Sequence, residues 1–259
     1  MQTLKDKVVV ITGSTSGIGK GIAEFFAAQG AHVMVHGLEQ AVGHSLVNAF
    51  QSRGSKAAYI LSDISQPEGC EALINEAVKH FDKLDVLINN AGRNIFTGIE
   101  KTRLEDWQLA IDTDLRSAWL CSKAAIPYMP RGSAMINIAS NHAFYTMPGC
   151  FPYNVAKAGV LALTQSLALE LAPKGIRANA ICPGYIDTPI CDAYFATFPE
   201  PTVERQRVER LHPLARIGTP EDIARAARFL ALEKEPGFMT GTHLLIDGGR
   251  SILMQDPQS

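Results

Sequence analysis

Apolar positions along this chain keep two alternating rhythms. Short, nearly continuous apolar runs at about 7–12, 33–36, 57–61, 84–88, 134–138, 177–181 and 243–246 have the length of strands buried on both faces. Between them lie longer stretches with helical spacing. One begins at Ile22, Ala23, Phe25, Phe26 and Ala27, one covers about 39–52, one runs through Val78, and one carries Tyr153 and continues to Leu171. Strands alternating with helices predict an α/β fold, a seven-stranded parallel sheet with helices on both faces. With 259 residues and no linker-like stretch, residues 1–259 read as one domain. Only 188–213 break the rhythm, with Pro189, Pro199, Pro201 and Pro213 set among Ile190, Tyr194, Phe195 and Phe198. That segment is predicted to be a lid over a substrate. Arg205, Arg207 and Arg210 within it read as a solvated helix face rather than a substrate clamp.

Ligands of such a sheet sit beyond the carboxyl ends of its strands. This chain puts its glycines and polar residues there. Gly13-Ser-Thr-Ser-Gly17-Ile-Gly19 joins the first strand to the first helix, and strands three to six end in Asp63-Ile64, Asn89-Asn90-Ala91-Gly92, Ser140 and Pro183-Gly184. A glycine-rich turn opening a helix offers free backbone N–H groups and a positive helix end, which suit a pyrophosphate. Tyr153 and Lys157 stand one turn apart on one helix face, thirteen and seventeen residues after Ser140. A phenol titrates near pH ~10, so it exchanges protons poorly at neutral pH unless a neighbouring ammonium lowers that value. Tyr153, Lys157 and a serine hydroxyl that could hold a substrate oxygen are equipment for moving a proton on or off an alcohol.

Composition narrows the classes. A net charge of −2 gives no reason to expect nucleic-acid or membrane-surface binding, and 46% hydrophobic content suits a large core. The polar start of the chain does not read as a secretory signal, and no apolar stretch is expected to approach the length of a bilayer span. Five cysteines without a C-x-x-C pair read as free thiols in a reducing compartment, so a cytoplasmic location is expected. No His or Cys spacing suggests a metal.

In order and spacing, these motifs closely resemble the short-chain dehydrogenase/reductase family. The matching pieces are Thr12-Gly13-x-x-x-Gly17-Ile18-Gly19, Asp63-Ile64, Asn89 to Gly92, Ser140, Tyr153-x-x-x-Lys157, and Pro183-Gly184 with Thr188, spread over about 5–250. The resemblance implies a doubly wound Rossmann fold and hydride transfer between an alcohol carbon and a nicotinamide. It implies that Tyr153 is the general acid/base, that Ser140 holds the substrate oxygen, and that Lys157 binds the nicotinamide ribose while lowering the tyrosine pKa. Cofactor contacts are expected from Gly13, Ser16, Gly17, Ile18, Gly19, Gly37, Leu38, Asp63, Ile64, Asn90, Ala91, Gly92, Tyr153, Lys157, Pro183, Gly184, Ile186 and Thr188. Asp114 departs from the family, which usually has Asn there in a proton relay. A negative charge beside Lys157 would offset part of the lysine's effect on Tyr153, unless the backbone carbonyl does the relay work. The resemblance also implies a homotetramer, to which the tail beyond Gly249 could add.

At the end of the second strand an acidic residue favours NAD and an arginine favours NADP. This chain has His36-Gly37-Leu38-Glu39 and no basic residue in Ser14-Thr15-Ser16, so NAD is expected ahead of NADP, with His36 a cation there only if protonated. Arg93, Asn94, His142, Cys150 and Tyr185, with Tyr145 and Phe151, are the candidate substrate contacts. Gly37 and Ser140-Asn141-His142 are similar to those of 3-hydroxybutyrate dehydrogenases, but Cys150 stands where those enzymes have a carboxylate-binding lysine. The reading that follows is an NAD-preferring enzyme for a secondary alcohol or its ketone. An NADP-dependent 3-oxoacyl reductase and a catalytically impaired cofactor-binding regulator are the alternatives.

Overall fold

The computed structural model describes residues 3–232 and 237–253. Val8–Ile11 forms β1, followed by α1 (Gly17–Ala28), β2 (His32–Gly37), α2 (Gln40–Gln51), β3 (Ala57–Leu61), α3 (Pro67–Phe81) and β4 (Val86–Asn89). The second half runs α4 (Leu104–Ile111), α5 (Ser117–Ala125), β5 (Ala134–Ile138), α6 (Tyr153–Leu171), β6 (Arg177–Pro183), α7 (Pro189–Phe195), α8 (Pro201–Arg210), α9 (Pro220–Ala231) and β7 (His243–Ile246). The seven strands pair in parallel throughout, in the order β3-β2-β1-β4-β5-β6-β7. The seven-stranded Rossmann architecture read from the sequence is the one observed, with strand ends moved by one or two residues.

Alternation within the strands assigns the two layers. Val9 and Ile11 face α1, α2 and α9, where Ile22, Phe26, Leu46, Phe50 and Ile223 pack. Val8 and Val10 face the opposite layer, against Leu73 and Ile74 of α3, Cys121 of α5 and Leu167 of α6. The strand order reverses between β1 and β4, which opens the crevice where such sheets take ligands.

Two expectations need correction. The helical segment from Tyr153 to Lys174 has 22 residues and contains an 18-residue window of mean hydropathy 1.3, which by length and composition is enough to cross a bilayer, a test that a core helix also passes. Both sides of it are apolar. Val160, Leu167 and Leu171 are buried under the sheet, whereas Val155 and Leu169 lie open, Leu169 at 78%. In the 188–213 segment, Arg205 is more than a solvated residue. It reaches Asp187 at 2.9 Å and Asp192 at 3.4 Å and sits over the Phe195 ring, tying α8 to α7, while Arg207 pairs with Glu204 at 2.6 Å. The last residues of the tail, 254–259, lie outside the described residues.

Candidate active site

One cleft of about 1000 Å³ crosses the carboxyl ends of the strands, and, Tyr145 and Phe151 apart, every candidate cofactor, substrate and catalytic residue except Gly19 and Asp114 lines it. Those two stand directly behind its wall. A Cβ on Gly19 would meet the Gly13 carbonyl at 2.3 Å and the Asn90 amide at 2.4 Å, so only glycine lets α1 come this close to the turn. Gly13 itself turns at φ +64. Asn90 pins the turn from β4, its Nδ2 donating to the carbonyls of Thr12 (2.9 Å) and Gly13 (3.1 Å), while Thr12 Oγ1 accepts from the Asn90 and Ala91 amides. Ser16 begins α1 without a side-chain cap, and no acidic residue stands in its first turn. The first N–H groups of α1 are thus left to an anion. The cradle fits a dinucleotide pyrophosphate.

His36 holds this turn in a way the sequence does not announce. Its Nδ1 accepts from the Gly13 N–H at 2.9 Å, and Nε2 lies 2.9 Å from the Ser62 carbonyl. Nδ1 can accept only if unprotonated, and Nε2 must then carry the hydrogen it gives to Ser62. The ring is therefore neutral, consistent with burial pushing its pKa down despite the Ser62 bond and the charge of Asp63. His36 is no cation for a 2′-phosphate.

The reacting end is built by β5, α6 and the turn after β4. Lys157, 4% exposed, donates to the Ile138 carbonyl at 3.2 Å and lies 5.5 Å from the centre of the Tyr153 ring. Ser140 caps the short turn after β5 by accepting from the His142 N–H at 3.1 Å, and its hydroxyl is close enough to the phenol to favour the phenolate. Lys157 and Ser140 both pull the Tyr153 pKa down, yet burial outweighs them and leaves it raised above its ordinary value, with Asp114 adding to the rise. The expected net lowering is thus not what the folded chain alone delivers. Asp114 is 2% exposed. Its Oδ1 accepts from the Arg93 N–H at 2.8 Å, and its Oδ2 stands 3.7 Å from Lys157 Nζ with no hydrogen-bond partner. Burial raises its pKa against the pull of Lys157. It sits in a π-helical turn, Asp112–Arg116, where one extra residue swells the junction of α4 and α5 and aims the side chain at the site.

Arg93, Asn94, His142, Cys150 and Tyr185 all line the substrate end, but Tyr145 and Phe151 do not. Tyr145 is 59% exposed, and Phe151 stacks on Trp107 with centroids 5.6 Å apart. The sequence reading missed Phe96, Met147 and Leu109 in this wall. Phe96 arrives through a β-bridge to Pro152, a pairing across 56 residues with no local signal.

Comparison with known proteins agrees with the geometry. A family profile described as Enoyl-(Acyl carrier protein) reductase matches residues 13–251. The chain is 38% identical over 253 residues to 3beta-hydroxysteroid dehydrogenase 1 of Eggerthella lenta, covering 96% of this chain and 95% of that one. Its fold is similar to that of ligand-free aldohexose dehydrogenase from Thermoplasma acidophilum, with a TM-score of 0.88, 35% identity and 98% of both chains covered. It is also similar to a blue fluorescent protein from a metagenomic library solved with NADPH, with a TM-score of 0.88, 30% identity, and 96% of this chain and 99% of that one covered.

Proposed function

From the premise that this chain belongs to the short-chain dehydrogenase/reductase family and is an oxidoreductase that uses NAD or NADP, we propose that it interconverts a secondary alcohol and a ketone. Tyr153 exchanges the proton. The observation that carries the reading is the convergence of Ser140, Tyr153 and Lys157 at one end of a cleft whose other end is the glycine cradle. Relatives named for hydroxysteroid and aldohexose substrates fit the same reaction class.

Gly13, Ser16, Gly17, Ile18 and Gly19 would hold the pyrophosphate, Asp63 and Ile64 the adenine, Gly37 and Leu38 the adenosine ribose. Asn90, Ala91 and Gly92 would line the middle, with Lys157 at the second ribose and Pro183, Gly184, Ile186 and Thr188 around the nicotinamide. When bound, that ring gives or takes the hydride. Ser140 orients the substrate oxygen by hydrogen bonding. Tyr153, kept as a neutral phenol, donates its proton to the oxygen of a ketone being reduced, and as phenolate it takes the proton of an alcohol being oxidised. Lys157 stabilises that phenolate. Asp114, held by Arg93, sits where it competes for the ammonium.

NAD is the preferred cofactor in this reading. Among the described residues, the lysine and arginine side chains lining the cleft are Arg93 and Lys157, both toward the reacting end, while Thr15, Ser16, Leu38 and Glu39 surround the place of the 2′-oxygen near a neutral His36. This also disfavours the NADP-dependent 3-oxoacyl reductase. The open Val155 and Leu169 on α6 support association into a homotetramer, and five buried free thiols support a reducing, cytoplasmic setting. The test is a panel of alcohols and ketones followed by nicotinamide absorbance with each cofactor. Turnover of at least one secondary alcohol with a lower KM for NAD is expected. Turnover of none, with a cofactor bound, would favour the regulator.

A further inference from the structure

We propose that the substrate is an uncharged alcohol or ketone with an apolar, ring-bearing body, an aryl or alicyclic carbinol, rather than a polyol or a hydroxy acid. The inference rests on the alcohol–ketone reading above. Around the Tyr153 phenol the wall is aromatic. Phe96 meets the tyrosine ring edge-on at 5.2 Å and His142 meets it at 6.0 Å, and these two rings lie 6.0 Å from each other. The bridge from Phe96 to Pro152 fixes the first of them against the start of α6. Met147 and Cys150 continue the wall, and Ile190 and Tyr194 of α7 face the same space.

Three of these apolar side chains are incompletely covered although they line a concavity: Phe96 at 38%, Met147 at 40% and Ile190 at 51%. Unfilled apolar surface inside a cleft marks what the ligand must cover. A planar or puckered hydrocarbon ring does so and pairs favourably with the aromatic edges. A polyol would bury hydroxyl groups that each need a partner. The polar groups here are already engaged or few. His142 Nδ1 lies 3.1 Å from the Thr146 hydroxyl, burial lowers the His142 pKa and so favours the neutral ring, and the Tyr185 and Tyr194 rings pack with centroids 6.0 Å apart. A carboxylate would need a cation. Lys157 is turned to the Ile138 carbonyl and to Asp114, which leaves Arg93, an exposed residue across the cleft.

The experiment compares kcat/KM, with saturating NAD, for 1-indanol and 1-phenylethanol against glucose, sorbitol and 3-hydroxybutyrate. The ring alcohols should lead by about a hundredfold, and Met147→Asp or Ile190→Asp should raise their KM by about tenfold while leaving the KM for NAD unchanged. Calorimetry on NAD-loaded Tyr153→Phe protein separates this inference from the reaction. Ring alcohols that bind but are turned over by neither wild type nor variant would sink the reaction and leave the pocket's preference standing. Tyr153-dependent turnover that favours glucose or sorbitol would keep the reaction and overturn the inference, as would turnover of 3-hydroxybutyrate abolished by Arg93→Ala. Absence of ring-alcohol binding in calorimetry would overturn it too.

Discussion

Replacing His36 tests how the cofactor cradle is held. The ring bridges the turn after β1 to the end of β3, with two hydrogen bonds of 2.9 Å and 3% exposure. His36→Leu would leave the Gly13 N–H and the Ser62 carbonyl without these partners. A buried polar group left unpaired costs about 1–3 kcal/mol, so losing both partners should cost roughly 2–6 kcal/mol, toward the lower half because the Gly13 bond is only part-buried. His36→Asn keeps an acceptor near the Gly13 N–H and gives up only the Ser62 bond, about 1 kcal/mol. The pH dependence has a definite sign. Burial favours the neutral ring, so the folded-state pKa lies below the unfolded value of about 6.5, and the stability His36 contributes is complete above that pH. It declines as pH falls below about 6.5, because the unfolded chain then binds the extra proton. Asp63 and the Ser62 carbonyl oppose the depression, which narrows the window. The assays are urea unfolding and calorimetric NAD binding at about pH 7.5 and about pH 5.5, straddling the histidine range. Wild type should lose stability and NAD affinity on acidification, and the Asn variant should lose less. If His36→Leu matched wild type in unfolding midpoint and NAD affinity at both values, the bridging argument would be wrong.

Other substitutions bear on separate parts of the site. Asp114→Asn removes a carboxylate that raises the Tyr153 pKa, so the rising, low-pH limb of the alcohol-oxidation profile should move to lower pH, and an unchanged limb would refute the coupling. Gly19→Ala places a methyl 2.3 Å from the Gly13 carbonyl, and NAD affinity should fall at least about tenfold through the displaced turn, as calorimetry would read. Sizing by light scattering should give four chains, the open Leu169 face being covered, whereas a monomer would reject the assembly.

What could be read from the chain alone followed its local signals. Strands buried on both faces write themselves as apolar runs, and β3, β5, β7 and α6 fell where the pattern put them. Motif residues at strand ends converged because topology brings those ends together. The remainder depended on distant pairings. His36 finds its partners 23 and 26 residues away, and Phe96 is set beside Tyr153 by a bridge to Pro152. No periodicity marked the π-helical turn that aims Asp114. The direction of the Tyr153 shift was misread for a physical reason. Spacing reveals the lysine that lowers the pKa but not the burial that raises it more.

The central claim is that the Tyr153 hydroxyl carries the proton. The most direct measurement is kcat for a secondary alcohol by wild type and Tyr153→Phe, with NAD affinity measured on both. A fall of at least about a hundredfold in kcat with NAD affinity retained is predicted, as for loss of a positioned acid/base. Turnover within a few-fold of wild type would contradict the account.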